Sequence, residues 1–182
     1  SFIIPLRIES PRLNITLIDS GWYNGFASNE SYGVTAYTTL QSFHIDRINT
    51  LVVVMEINAK DARFSDGRYR AIWVSRGPLN FGEVLTATFE GIDIHTNMTF
   101  IPVTFKVEGV VSSGESYYKA YKIIKVKLNL VKEERSLIVV EATTLYRGDY
   151  VPLLPTAHDV TLRIRLINIR PTPISSIDVK VD

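Results

Sequence analysis

The amino-acid sequence predicts an all-β protein: a single β-sandwich or jelly roll with an N-terminal extension strand. Apolar and polar residues alternate with the two-residue period of a strand from one end of the chain to the other. Val, Ile, Thr and Tyr, which favour strands, are frequent in these stretches, and helical periodicity is scarce. Gly, Pro and Asp stand between them, as at Asp66-Gly67 and Ser112-Ser113-Gly114, where a chain reverses direction.

The first predicted element is a strand in the leading segment, which we define as residues 1–12. One face of an extended chain there carries Phe2, Ile4, Leu6 and Ile8. A terminal strand needs a partner to hold it, either in its own sheet or in a neighbouring copy. Pro5 lacks an N–H, which suits pairing on one side only. Residues 177–181 alternate without a proline and are the alternative donor.

Residues 13–182 are predicted to form one β-sandwich domain. Strands are expected at residues 13–19, 34–40, 51–57, 69–74, 85–89, 101–107, 124–130, 138–144, 160–166 and 177–181. Residues 51–57 are apolar on both faces, which is typical of a strand covered on each side. The alternation changes phase at Ile167 and Ile169, which predicts a β-bulge. Residues 146–159 carry no strand pattern and are interpreted as a crossover between sheets.

Composition narrows the class of protein. The 182 residues include 20 basic and 19 acidic side chains, a net charge of +1, which argues against a nucleic-acid binder. There is no apolar run of the roughly 18 residues that a membrane span needs. The chain has no cysteine, so disulfides and thiol catalysis are excluded. One Gln and two Met indicate depletion of thermolabile residues and favour a thermophilic source.

Two features favour an extracellular protein. The chain begins at Ser1 rather than Met, so we expect secretion after removal of a signal peptide. Three Asn-x-Ser/Thr sequons are candidate N-glycosylation sites, at Asn14, Asn29 and Asn97. Asn29 lies in a polar stretch and is the best of the three, because a glycan requires a surface loop.

No residue pattern predicts an enzyme or a cofactor. His and Asp are close in sequence at His44/Asp46, Asp93/His95 and His158/Asp159, and such pairs can belong to metal sites or hydrolytic triads. No further motif completes them, so we interpret them as ordinary hydrogen-bonding residues. Residues 60–67 resemble a calcium loop only distantly, because Arg63 occupies a ligand position, and a turn is favoured. A calcium site at a loop or subunit interface, built from residues of several loops, is an alternative that the sequence leaves open.

Two aromatic residues have alternative interpretations. Trp22 and Tyr23 precede Asn24-Gly25, and an exposed pair there could stack on sugar rings. The other interpretation, which we favour, is that Trp22 plugs one open end of the sandwich. A run of lysines is interpreted as a solvated strand face that discourages unwanted edge pairing, at Lys119, Lys122, Lys125, Lys127 and Lys132.

A leading strand, a cysteine-free sandwich pattern, sequons and thermophile-like composition together resemble one group of proteins. These are the archaeal extracellular filaments built by donor-strand complementation, including threads, bundling pili and cannula-like tubes, and the TasA-type biofilm fibres of bacteria. The resemblance is one of architecture and transfers no functional residue. It implies a homopolymer outside the cell, glycosylated on its outer face, that serves adhesion or cell–cell connection.

The sequence therefore leaves two functional hypotheses. In the first, each subunit donates Phe2, Ile4, Leu6 and Ile8 to an acceptor groove on an identical subunit, where main-chain bonds give affinity and side chains set register. In the second, the protein is a secreted carbohydrate-binding sandwich that recognises cell-surface glycans, and an exposed aromatic cluster lies near Trp22.

Overall fold

The computed structural model describes residues 11–25, 27–130, 137–146, 149–150, 161–168, 174 and 176–177, and these residues form strands and turns without a helix. The strands are β1 (Ile15–Trp22), β2 (Glu30–Ser42), β3 (Ile48–Ile57), β4 (Ala62–Phe64), β5 (Arg70–Val74), β6 (Val84–His95), β7 (Phe100–Ser113), β8 (Ser116–Asn129), β9 (Leu137–Tyr146), β10 (Asp149–Tyr150) and β11 (Thr161–Asn168).

The strands form two packed sheets, which confirms the predicted all-β sandwich. The seven-stranded sheet has the order β1-β2-β6-β9-β10; β11 pairs with β9, and β4 pairs with β6. The four-stranded sheet has the order β5-β3-β7-β8, and each strand is antiparallel to its neighbours.

The core lies between the sheets. Leu51, Val53 and Met55 point inward from β3 and are fully buried. The rings of Phe89 on β6 and Phe105 on β7 meet across the sandwich, with centroids 5.8 Å apart. Every second residue of each strand faces the space between the sheets, because side chains alternate along a strand. Burial of these apolar residues stabilises a fold that has no disulfide.

The sequence-based expectation that residues 51–57 are covered on both sides is wrong for the outer side. Val52 and Val54 point outward and are only half-buried. Their neighbours across β5 are Val74 and Ile72, both exposed. The apolar outer residues of β3 therefore belong to an apolar strip on the four-stranded sheet, not to a second core.

The outer face of the seven-stranded sheet, by contrast, is covered by the chain itself. Tyr37 points outward from β2 yet is fully buried, because Tyr23 and Ile167 of β11 pack on it. Thr86 on β6 donates its hydroxyl to the carbonyl of Val139 on β9, at 2.5 Å. β9 and β11, which belong to the same sheet, thus contribute Val139 and Ile167 to the contacts on its outer side.

The predicted turns hold where the structure describes them, whereas the bulge lies on a different strand from the one predicted. Gly67 and Gly114 have positive φ values of 86° and 59°, which only glycine adopts at low cost. Gly114 lies in the tight β7–β8 hairpin, where Ser113 pairs with Ser116. The β9–β11 pairing shifts register between Arg165 and Leu166, but the residue without an opposite partner is Val140 of β9, so the bulge is not at Ile167, where the change of phase predicts it.

In the part of the chain that the structure describes, no helix is long and apolar enough to cross a membrane. The predicted donor residues Phe2, Ile4, Leu6 and Ile8 lie outside the described residues, as do His158, Asp159, Lys132 and residues 178–181 of the alternative donor.

Candidate functional site

The leading segment joins the domain at the edge of β8. The N–H of Leu13 donates to the carbonyl of Tyr121, and the N–H of Tyr121 donates to the carbonyl of Pro11, both at 2.9 Å. This short pairing is parallel to β8 and centres on Arg12 and Tyr121. The chain then crosses to the other sheet, where β1 begins at Ile15. The segment is therefore in strand geometry at the point where it meets the fold.

Leu13 fixes this junction by burying its side chain between the sheets. A Cβ atom at Gly109 of β7 would lie 2.8 Å from Cδ1 of Leu13 and 3.2 Å from Cγ2 of Ile48. Gly109 therefore stands in the middle of a strand because Leu13 occupies the space that its side chain would take.

Asn14, the next residue, is held by the loop after β2. Its N–H donates to Nδ1 of His44 at 3.2 Å, and its side-chain amide donates to the carbonyl of Phe43 at 2.8 Å. The N–H of Phe43 in turn donates to the carbonyl of Asn14 at 2.9 Å. We call Leu13 and Asn14 with these contacts the N-terminal anchor.

His44 extends the anchor to β8. Since Nδ1 accepts from Asn14, neutral His44 carries its proton on Nε2 and donates it to the Tyr118 hydroxyl, 2.8 Å away. Tyr118 donates to Asp46 at 3.3 Å. Burial, together with the nearby Asp46 carboxylate, raises the pKa of Tyr118 above its usual value. His44 and Asp46 thus meet through Tyr118, a residue that sequence spacing did not single out.

Trp22 is the last residue of β1, at the end of the strand away from the N-terminal anchor, and it contacts the end of β8. Its side chain is buried, and its indole N–H donates to the carbonyl of Asn129 at the end of β8, at 2.7 Å. The plug interpretation is correct, and the exposed sugar-stacking platform at Trp22 and Tyr23 is wrong. Tyr23 is half-buried against Tyr37, on the outer face of the seven-stranded sheet.

The opposite edge of the four-stranded sheet is β5. Tyr69 accepts from Ile57, and Ser75 donates to Leu51, each at 2.8 Å, so odd-numbered positions bond to β3. The N–H and C=O groups of the even-numbered residues, Arg70, Ile72 and Val74, consequently point away from β3. No described residue bonds to these main-chain groups.

The β5 edge is apolar on both faces. Ile72 and Val74 point outward and are 66% and 50% exposed. Ala71 and Trp73 point inward and are half-buried against the core, so Trp73 lies at the rim of the core. A cavity of about 530 Å³ lies beside this edge, lined by Arg68, Tyr69, Arg70, Ala71 and Ile72.

Charges flank the apolar strip on the outer face. Lys106 pairs with Glu56, and Lys119 pairs with Glu108, each with N and O 2.7 Å apart. The lysines of β8 are exposed as predicted, at Lys119, Lys122, Lys125 and Lys127.

The other polar candidates serve local structure. Asp93 accepts from the N–H of Gly33 at 2.8 Å and from the hydroxyl of Ser65 at 3.0 Å, and His95 packs edge-on against Tyr32. Within the described ranges, no group of three or more His, Asp or Glu could hold a metal ion.

The region compared with a calcium loop contains the short strand β4, with a turn on either side of it. The N–H of Arg68 donates to the Asp66 carboxylate at 3.0 Å, and the Arg68 guanidinium donates to it at 2.7 Å. These bonds hold the pKa of Asp66 below its usual value.

All three sequon asparagines are exposed. Asn29 and Asn97 lie at one end of the sandwich, where the N–H of Thr96 donates to the carbonyl of Asn29 at 3.0 Å. Asn14 lies at the other end, since β1 begins opposite Ser42 at the end of β2. Its amide nitrogen, the atom that would carry a glycan, bonds to Phe43.

No protein-family model and no curated protein matches the chain. Among solved structures, the chain is similar to AT1g01470 from Arabidopsis thaliana, determined in solution, with 10% identity and a TM-score of 0.36 over 70% of this chain and 89% of that one. It is also similar to part of a β-glucuronidase from glycoside hydrolase family 2, with 13% identity and a TM-score of 0.26 over 67% of this chain but only 12% of the enzyme. Both similarities are too distant to bear on function.

Proposed function

We propose that the protein is the structural subunit of an extracellular homopolymeric filament, in which the leading segment of each copy pairs with the next copy. One observation carries the proposal: residues 11–13 meet the domain through a parallel β-bridge at the edge of β8, next to a buried Leu13. The residues before them continue with the alternation Phe2, Ile4, Leu6 and Ile8. A strand pattern attached to a fixed base is suited to adding to another sheet.

The free energies of burial and of backbone ordering indicate what pairing of the leading segment with another copy requires. Burying four large apolar side chains contributes roughly 6–12 kcal/mol. Ordering the backbone costs about 1–2 kcal/mol for each residue, so side-chain burial alone comes close to balance. Main-chain hydrogen bonds to an acceptor edge must supply the rest. The anchor lowers the cost, because residues 11–13 are ordered already.

The remaining properties of the proposal follow from composition and exposure. Exposed sequons at Asn29 and Asn97 support a glycosylated protein outside the cell. The low content of Gln and Met supports a hot environment, such as that of a thermophilic archaeon. A filament of this kind would serve adhesion, biofilm formation or cell–cell connection.

Deletion of residues 1–10 tests the filament. The truncated chain retains Pro11 and Leu13, so we expect a folded monomer by circular dichroism and sedimentation. The full chain should form filaments visible by electron microscopy. Arg7→Ala is the control: it keeps every apolar residue of the pattern and should still assemble. A full chain that stays monomeric, or a truncated chain that still polymerises, would refute the proposal.

A carbohydrate-binding module is the second candidate, supported by a different residue from the one expected. Tyr32 is 72% exposed and packs against His95, with ring centroids 4.8 Å apart. Such a ring could stack on a sugar. Glycan-array binding by the monomer that is lost in Tyr32→Ala would favour this function, and an array without signal would exclude it for the sugars tested.

A further inference from the structure

The direction of the strands relates the two edges of the four-stranded sheet. Three antiparallel steps separate β8 from β5, so these two strands run in opposite directions. Residues 11–13 run parallel to β8. If two copies keep the same orientation, a leading segment that continues in this direction is antiparallel to β5 of the next copy. A contact between unlike edges of identical subunits is heterologous and builds an open chain rather than a closed dimer.

Pro5 restricts how the segment can pair with β5. Only Arg70, Ile72 and Val74 direct main-chain groups to the open side of β5, as the bonds of Tyr69 and Ser75 to β3 establish. Pro5 has no N–H, so it must lie opposite an odd-numbered residue, where the added strand turns its own main-chain groups away from β5. In that phase Ile4 and Leu6 form the ladder bonds.

Side-chain chemistry then distinguishes two of the registers in this phase. With Pro5 opposite Ala71, Ile4 lies opposite Ile72 and Phe2 lies opposite Val74, so apolar residues meet on the outer face. Ile3 lies opposite Trp73 on the inner face. With Pro5 opposite Trp73 instead, Arg7 would lie opposite Ala71 and direct a guanidinium toward the core, at a large desolvation cost.

We infer, resting on the filament function proposed above, that the edge of β5 is the acceptor. Residues 2–6 of the neighbouring copy add to it antiparallel, with Ile4 opposite Ile72. The segment and the edge match on both faces. Residues 2–6 would be apolar on both faces of a strand. The β5 edge is apolar on its outer face at Ile72 and Val74, and on its inner face at Ala71 and Trp73. The five residues of β5 also match the length of that apolar stretch.

Disulfide trapping tests the register, because the chain has no cysteine of its own. Directly opposite, hydrogen-bonded residues have Cα atoms about 5.5 Å apart, within the range that a disulfide spans. Ile4→Cys and Ile72→Cys are made in separate chains, mixed and oxidised, so that every mixed disulfide is intermolecular. We expect a covalent dimer of the two variants. Ile3→Cys with Ile72→Cys is the control and should cross-link far less, because residue 3 points to the other face.

Ile72→Lys tests the acceptor edge without a cross-link. Ile72 is exposed, so the variant should fold normally, but a lysine on this edge opposes strand addition and filaments should be lost. Ile123→Lys is the matched control: Ile123 is 62% exposed on the same face, but on β8, and its variant should assemble.

The outcomes separate the two proposals. If deletion of residues 1–10 abolishes filaments while Ile72→Lys assembles and the Ile4/Ile72 pair does not cross-link, strand donation stands and the β5 acceptor is wrong. If the unmodified chain forms no filament, both proposals fail.

Discussion

The two edges of the four-stranded sheet, β8 and β5, differ in whether other parts of the chain bond to them. At β8, residues 11–13 pair with Tyr121, and the indole of Trp22 bonds to Asn129. At β5, the main-chain groups of Ile72 and its even-numbered neighbours have no described partner, and apolar side chains lie on both faces. The β8 edge is thus contacted by the chain itself at Tyr121 and Asn129, whereas the β5 edge retains the features of an open edge.

The comparison indicates that buried apolar residues stabilise the fold, whereas exposed apolar residues at the β5 edge are available for assembly. Leu13 is buried and couples the leading segment to the core, whereas Ile72 is exposed and contributes little to folding. Variants at β8 should therefore alter stability, and variants at β5 should alter assembly. The following predictions, in order of decreasing effect, test that distinction.

Leu13→Ala should have the largest effect on stability. It removes a fully buried side chain between the sheets, so the free energy of unfolding should fall by about 2–5 kcal/mol in urea denaturation. Ile72→Ala at the exposed edge is the control and should change it by no more than about 0.5 kcal/mol. Equal losses in the two variants would contradict the distinction between the edges.

Gly109→Ala should destabilise the packing of Leu13 in the N-terminal anchor. The added Cβ would clash with Leu13, and such overpacking lowers the free energy of unfolding by about 1–3 kcal/mol. The matched control is Gly77→Ala, since a Cβ at Gly77 meets no atom within 4 Å. Thermal unfolding of both variants checks this prediction, and an unchanged melting temperature for Gly109→Ala would show that Leu13 does not pack as described.

Tyr118→Phe should cost about 0.5–1.5 kcal/mol, because it breaks the link between His44 and Asp46. The loss should depend on pH. Because the folded-state pKa of Tyr118 is raised, its hydroxyl stabilises the fold below pH 10 and loses that contribution as pH rises through the folded pKa. The stability difference between the two proteins should therefore narrow above pH 10. A constant difference would show that the raised pKa is not coupled to folding.

Lys106→Ala should have the smallest effect. Its ion pair with Glu56 joins β3 and β7 between the two edges, and exposed pairs contribute about 0.2–1 kcal/mol. The difference should shrink at high salt, because ions screen exposed charges. A loss that persists in 1 M salt, about a 3 Å Debye length, would mean that the lysine stem rather than its charge matters.

Several parts of the fold were predictable because they depend on local chemistry. The turn at Gly67 and the tight hairpin at Gly114 follow from backbone preferences, whereas the bulge on β9 has no signal in the alternation. Trp22 as a plug was favoured for its size. The exposure of the outer side of β3 was not predictable, because Val52 and Val54 carry the same side chains as a strand covered on both faces.

The anchor was also hidden from the sequence. Leu13 and Gly109 are distant along the chain, and neither carries a signal that it packs against the other. Tyr118 links His44 to Asp46, although the spacing of these residues does not single it out. Such contacts depend on which strands become neighbours, which single-residue patterns do not encode.

The sequence by itself determined the strand content, the turns and the two-sided apolar character of residues 2–6, because backbone preferences and side-chain alternation act over a few residues. Only the tertiary structure decided which edge of the sheet residues 11–13 pair with, that Tyr37 is covered while Ile72 is exposed, and that β5 is the last of the described strands in its sheet. The reason is physical: each of these properties is set by pairing between residues far apart in the chain, where register and neighbour, rather than residue type, determine what is buried.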